Sequence, residues 1–155
     1  MTQEAAGQFE LGTDGPKVIL VGVDDSTTSL RAASYAAGLA RRQGASVTAV
    51  FVAPIASLGA GTPGGAALIA TQRQATQEMA EGMRLRAEEA GRDLGIPITF
   101  IATEGDPYTE LRRIADEIRA DAVVVGASAK AGHRLIGSLA VRLVRAGRWP
   151  VTVVP

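Results

Sequence analysis

Residues 17–24 read Lys-Val-Ile-Leu-Val-Gly-Val-Asp. The run is apolar and β-branched, does not alternate, and is closed by Asp24-Asp25-Ser26. Such a run suits a strand buried on both faces, as in a parallel sheet. A helix is predicted behind it, over residues 27–43. Ser26 is placed to cap its start and Gly44 to end it. Leu30, Ala33, Ala37 and Ala40 fall on one face, and their mostly small size suits close approach to a sheet. The same grammar repeats along the chain. Strands are predicted over 46–53, 96–102, 121–126 and 151–154. Helices are predicted over 71–94, from Asp106-Pro107 onward, and over 138–146 with Gly147 as the stop. Leu111, Ile114, Ala115 and Ile118 mark the buried face of the third helix. Ala75, Met79, Met83, Ala87, Ala90 and Leu94 mark that of the second, where both methionines read as core. Strict strand–helix alternation argues an α/β fold with a parallel sheet and helices on both faces. Right-handed crossovers then favour a doubly wound sheet.

Composition narrows the chemistry. The 155 residues make one domain of ordinary size: residues 1–15 form a loose tail and 16–155 the folded unit. Hydrophobic residues are 46% and aromatics only 4%, so the core must be built from Ala, Val, Ile and Leu. There is no Cys and one His, which excludes disulfides, thiolate sites and multi-histidine metal centres. Sixteen basic residues balance sixteen acidic ones, so no global attraction to nucleic acid or to an anionic membrane is expected. No secretion signal or membrane-length apolar run is visible, and the expected location is the cytoplasm.

Charge is uneven along the chain. Residues 1–30 carry five carboxylates against Lys17 alone, whereas residues 122–155 carry Lys130, Arg134, Arg142, Arg145 and Arg148 and no acid. Arg142 and Arg145 read as a solvated helix face near a C-terminus, where the helix dipole favours cations. Residues 54–70, Pro-Ile-Ala-Ser-Leu-Gly-Ala-Gly-Thr-Pro-Gly-Gly-Ala-Ala-Leu-Ile-Ala, form the longest stretch without an assigned element. That loop is expected to be the most mobile internal segment and to border the binding crevice.

In a doubly wound sheet, ligands bind beyond the carboxyl ends of the strands, where strand order reverses. Two loops qualify. One holds Asp24, Asp25 and Ser26. The other runs from Gly126 through Gly132 and His133 to Gly137-Ser138. Glycines there let backbone N–H groups turn to an anion, and Gly137-Ser138 begins a helix, where free N–H groups and the dipole add attraction. The same glycines also serve a plain strand-to-helix turn, with Ser138 as an ordinary cap. Asp24 suits a hydrogen bond from a ribose or base. Asp24 and Asp25 raise the question of Mg²⁺, but neighbours pointing to opposite faces leave one carboxylate at most in the crevice. GxGxxG after the first strand, GxxxxGK[ST] and GxSxG are all absent. His133 has no nucleophile paired with it in sequence and reads as a loop side chain. Trp149 reads as packing on a helix or in an interface.

Two segments carry a family resemblance: Ile19-Leu-Val-Gly-Val-Asp-Asp-Ser26, and the stretch from Val123-Val-Val-Gly-Ala-Ser128 through Gly132-His-Arg-Leu-Ile-Gly-Ser138 to the Trp149-Pro-Val-Thr-Val-Val-Pro155 end. They resemble the universal stress protein family over about residues 16–155. The resemblance implies a five-stranded parallel sheet in order 3-2-1-4-5, a homodimer and, in one branch, bound ATP with or without Mg²⁺. In that branch the nucleotide rests on a Gly-x2-Gly-x9-Gly-Ser/Thr loop after strand four. An Asp after strand one and a Val near the end of strand two hold the adenosine. Carried over, these are Gly126, Gly137, Ser138, Asp24 and Val52. The second glycine falls on Ala129, and seven residues rather than nine separate it from Gly137, with Gly132 in partial compensation.

The first reading is therefore a stress-response regulatory protein that binds ATP or another adenine nucleotide. The alternative is a nucleotide-free dimeric module acting through protein contacts, because the phosphate loop is short. An enzyme is not expected, since no nucleophile, base and orienter assemble. The homodimer is expected through the C-terminal strand, residues 149–154, because an open apolar edge invites pairing.

Overall fold

The centre of the sheet is apolar on both sides. In β1 (Val18–Val23), Ile19, Leu20 and Val21 are all buried. Ile19 and Val21 face one layer of helices and Leu20 the other. This double burial is why the run does not alternate. In the computed structural model, which describes residues 15–57, 59–128 and 137–155, β1 is followed by α1 (Thr27–Gln43), β2 (Ser46–Ala53), α2 (Gly65–Leu94), β3 (Ile98–Glu104), α3 (Pro107–Glu117), β4 (Ala122–Gly126), α4 (Ser138–Ala146) and β5 (Val151–Val154). The strands pair in parallel in the order β3-β2-β1-β4-β5. The doubly wound α/β sheet and its strand order are therefore as expected. The chain steps outward from β1 to β2 and β3, then returns to the other side of β1 for β4 and β5. Strand order reverses between β1 and β4.

α1 and α2 cover one face of the sheet. Ala32, Ala36 and Ala40 of α1 pack on Ile19, Val21 and Val124, and Met83 of α2 packs on Phe51. α3 and α4 cover the other, with Leu111, Ile114 and Leu143 against Leu20, Val50 and Val123. Small alanines on α1 let its backbone lie close to the sheet. At Gly126 no side chain fits, because a Cβ would stand 2.6 Å from the Thr28 carbonyl carbon. The other end of the β1–β4 pair is held by Asp121, whose carboxylate accepts the Lys17 and Val18 N–H groups at 2.9 and 2.8 Å.

Helix ends follow the sequence signals. Ser26 accepts the Ser29 N–H, and Gly44 and Gly147 adopt left-handed conformations as C-caps. Asp106 accepts the Thr109 N–H, with Pro107 in the first turn. Several expectations need correction. α2 begins at Gly65, so the irregular loop ends at residue 64. Ala66, Ala67, Leu68 and Ala70 are strong helix formers, and Gly64 (φ 81°) supplies the turn into them. β3 starts two residues later than expected, because Pro97 has no N–H to give and only its carbonyl joins the sheet, accepting from Val47. On α1 the buried face is Ser29, Ala32, Ala36, Ala37 and Ala40, with Leu30 exposed. On α2, Met83 is 6% exposed but Met79 is 44% exposed, because the helix rests over the edge strand β3 and buries only a narrow stripe. Arg142 is exposed, as expected, but it is not without partners. It pairs with Asp106 at 3.1 Å and lies 4.2 Å over the Tyr108 ring, tying α4 to α3. Trp149 packs with the α3/α4 core cluster, as expected. Among the described residues, no helix is long and apolar enough to cross a membrane. The expected tail over 1–15 lies outside the described residues except for residue 15. Ala129, Lys130, Gly132, His133 and Arg134 also lie outside them.

Two consequences are testable. Gly126→Ala drives a methyl into the first turn of α1 and should lower unfolding stability by about 1–3 kcal/mol in urea titration. Asp106 is held down at about 2 by Thr109 and Arg142. A carboxylate with a depressed pKa contributes stability above its ordinary value and loses it as pH falls through the folded value. Thermal melts of wild type and Asp106→Asn should therefore differ at pH 6, and the difference should shrink between about pH 4 and pH 2.

Candidate functional site

The first turns of α1, α3 and α4 converge at the carboxyl ends of β1 and β4. They enclose a cavity of about 370 Å³. Its size falls within the range of small-molecule sites, about 300–1,000 Å³. One wall is the β1–α1 turn, with Asp24, Ser26 and Thr28. The opposite wall is Gly126 to Ser128 together with Gly137 and Ser138. Val50, Val52 and Leu111 make an apolar floor, and Pro107 also lines the cavity.

The β1–α1 turn is built to present one carboxylate. The Ser29 hydroxyl is buried, accepts the Asp24 N–H at 3.1 Å and donates to the Ser26 carbonyl at 3.1 Å. Asp24 Oδ1 accepts the Ser26 N–H at 3.1 Å. Partial burial pushes the Asp24 pKa up, but hydrogen bonds from the Ser26 hydroxyl and amide outweigh it, leaving the pKa below the ordinary value. Asp24 is thus ionised at neutral pH and can only accept hydrogen bonds. Asp25 leaves the cavity. It adopts a left-handed conformation (φ 63°) and its carboxylate meets Arg86 of α2 at 2.9 Å. One carboxylate in the crevice is what the sequence led us to expect. The reason is a turn beyond the end of β1, not alternation within a strand.

The opposite wall is set by the entry into α4. Gly137 is the N-cap in extended conformation (φ −60°, ψ 156°), and Ser138 is the first helical residue rather than the cap. Among the described residues no side chain caps this helix, and its first turn holds no acid. Its leading N–H groups have no partner within the helix, and with the dipole they favour an anion. Gly137 also has an internal reason to be glycine, because a Cβ would stand 2.7 Å from that of Ser128. Thr28 bridges the two walls by donating its hydroxyl to the Ala127 carbonyl at 2.7 Å.

Asp24, Val52, Gly126, Gly137 and Ser138, singled out in the sequence, all line this one cavity. Gly132 lies outside the described residues. No described residue of the 54–64 loop lines the cavity, contrary to expectation; the loop instead lies against the start of α2, where a Cβ on Gly59 would stand 3.2 Å from the Gly65 Cα and 3.5 Å from Leu68. Thr28, Ser29, Ser128 and Leu111 went unnoticed as site residues. The hydroxyls at 26, 28 and 29 following Asp24 were the available signal. Leu111 carried none, since it reads as ordinary helix core. Among the described residues, no three His, Asp or Glu side chains gather into a metal-binding group.

A sequence model of the Universal stress protein family matches residues 16–155. Universal stress protein MJ0531 of Methanocaldococcus jannaschii is 32% identical over 142 residues, covering 89% of this chain and 81% of that protein. Among solved structures, universal stress protein UspA from Lactobacillus plantarum superposes with a TM-score of 0.76 at 23% identity, over 90% of this chain and 97% of its own. A universal stress protein solved in complex with cAMP gives 0.65 at 23% identity, covering 90% and 96%. An Arabidopsis thaliana family protein with AMP bound gives 0.65 at 16%, covering 90% and 91%. The family match spans the whole described fold, and the chain belongs to the universal stress protein family.

Proposed function

We propose that the cavity between β1 and β4 binds an adenine nucleotide, ATP or a smaller one, and that occupancy is a regulatory signal in a stress response. The observation that carries this reading is the arrangement of its two ends. At one end, Val52 and Val50 floor an apolar space beside the ionised Asp24, which suits a purine and a ribose hydroxyl. At the other, the uncapped start of α4 suits a phosphate. The cAMP and AMP complexes of structurally similar proteins support the same assignment. Gly126, Gly137 and Ser138 would form the phosphate side, and Asp24 and Val52 the nucleoside side. Asp24 is the one carboxylate lining the cavity among the described residues, so a Mg²⁺ accompanying ATP would find one protein ligand there at most. The role is binding and regulation rather than catalysis.

The short loop between Ala129 and Gly137 favours the second reading, a nucleotide-free dimeric module acting through protein contacts. Calorimetric titration of ATP (with and without Mg²⁺), AMP and inorganic phosphate separates the two. Ser138→Ala should weaken all three by about tenfold or more, the cost of one hydrogen bond to a charged group. Asp24→Ala should weaken AMP and ATP but leave phosphate nearly unchanged. Absence of binding by any of the three would favour the nucleotide-free module.

We also propose a homodimer through β5. This strand ends the sheet, pairs only with β4 among the described strands, and leaves Val151, Val153 and Val154 part-exposed. A two-fold axis would bring two such edges together antiparallel. Light scattering at micromolar concentration should give the dimer mass, and removal of residues 150–155 should give monomer or aggregate. A monomer for the intact chain would contradict this assembly.

A further inference from the structure

The opposite face of the sheet carries a second and larger cavity, about 550 Å³, between α1 and α2. α1 lies mainly over β1 and β4 and α2 mainly over β3, so the two helices part above β2. Val47, Ala49 and Phe100 form the floor of the trough, and Ala37 on α1 and Ala87 and Ala90 on α2 form its walls. Short side chains on both walls keep it open. It reaches from Leu30 to Arg41 along α1, about 16 Å at the helical rise. Leu30 and Leu94 flank it with 43% and 39% of their surface in water.

The polar groups of this trough are almost all spent. The Ser34 hydroxyl donates to the Leu30 carbonyl at 3.0 Å. Arg86 donates to Asp25 at 2.9 Å and to the Gly82 carbonyl at 3.2 Å. Arg41, at the end formed by Val47 and Leu94, makes no hydrogen bond or ion pair among the described residues. A long apolar trough with one uncommitted cation at its end defines a ligand chemistry. The volume fits a small molecule, whereas a protein partner of standard affinity covers about 800 Å² on each side. We propose that the trough binds an aliphatic chain ending in a carboxylate, a medium-chain fatty acid, with the chain between α1 and α2 and the carboxylate on Arg41. The site is separate from the nucleotide cavity, though Val23 lines both.

Calorimetry of the full chain with dodecanoate, kept below its micelle-forming concentration, tests this. One molecule should bind per chain. Dodecyltrimethylammonium, which has the same tail with the opposite charge, should bind at least about tenfold more weakly, and Arg41→Glu should weaken dodecanoate by at least about tenfold. Ala87→Trp should fill the trough and abolish binding. Ala37→Trp fills it from the other wall if the first variant melts abnormally. Absence of saturable binding, equal affinity for the two detergents, or full affinity in a folded trough-filled variant would overturn the proposal. So would light scattering that shows Ala87→Trp dissociating a wild-type dimer, since the trough would then belong to a second copy. None of these readouts depends on nucleotide.

Discussion

Everything at the candidate site depends on how closely α1 approaches the end of β4. Gly126 lies beneath the first turn of this helix with no room for a Cβ, and Thr28 clasps the Ala127 carbonyl from above. That contact fixes the β1–α1 turn against the β4–α4 connection. It thereby sets the width of the crevice at the point where strand order reverses. Ser29 and Ser26 then aim Asp24 into the opening, and Asp25 turns away to Arg86. The glycine is needed by the fold itself.

The same economy shapes the two faces of the sheet. On the α3/α4 face, long side chains such as Leu111, Ile114 and Leu143 fill the space, and the Arg142 bridge to Asp106 ties the helices together. On the α1/α2 face, alanines do the packing and the helices separate. An aromatic-poor, alanine-rich core thus gives close contact at α1 and an open trough beside it. The cavity between β1 and β4 is edged with backbone N–H groups and one carboxylate. The trough is mostly hydrocarbon with two arginines, of which Arg86 is engaged by Asp25, so the two cavities differ in chemistry.

Much of this was legible in the sequence, for identifiable reasons. Ile19 to Val21 are buried on both sides, so their unbroken apolar run announced a central parallel strand. Asp106-Pro107 and Ser26 signalled helix starts through local hydrogen bonding that needs no tertiary partner. Asp24, Val52, Gly126, Gly137 and Ser138 converge because the topology collects the carboxyl ends of β1, β2 and β4 at one edge. The failures have physical causes as well. The first turn of α2 hid in an apolar Ala-rich stretch with no polar face to give it periodicity. Met79 follows the helical spacing of Met83, yet an edge strand offers too narrow a platform to bury both. The pairing of the exposed Arg142 was not legible because its partners, Asp106 and Tyr108, stand about 35 residues earlier, and nothing local marks it. Leu111 is invisible as a site residue, because the side chain that floors the cavity is also core.

The central claim is that one nucleotide occupies the crevice between β1 and β4. The most direct measurement is the change in backbone amide resonances of isotopically labelled protein as AMP is added. The account places the largest shifts at Asp24, Val52, Gly126 and Ser138, with the α1/α2 trough residues Ala37, Ala87 and Ala90 little affected. Saturating shifts confined to another part of the fold, with those four amides unmoved, would contradict it.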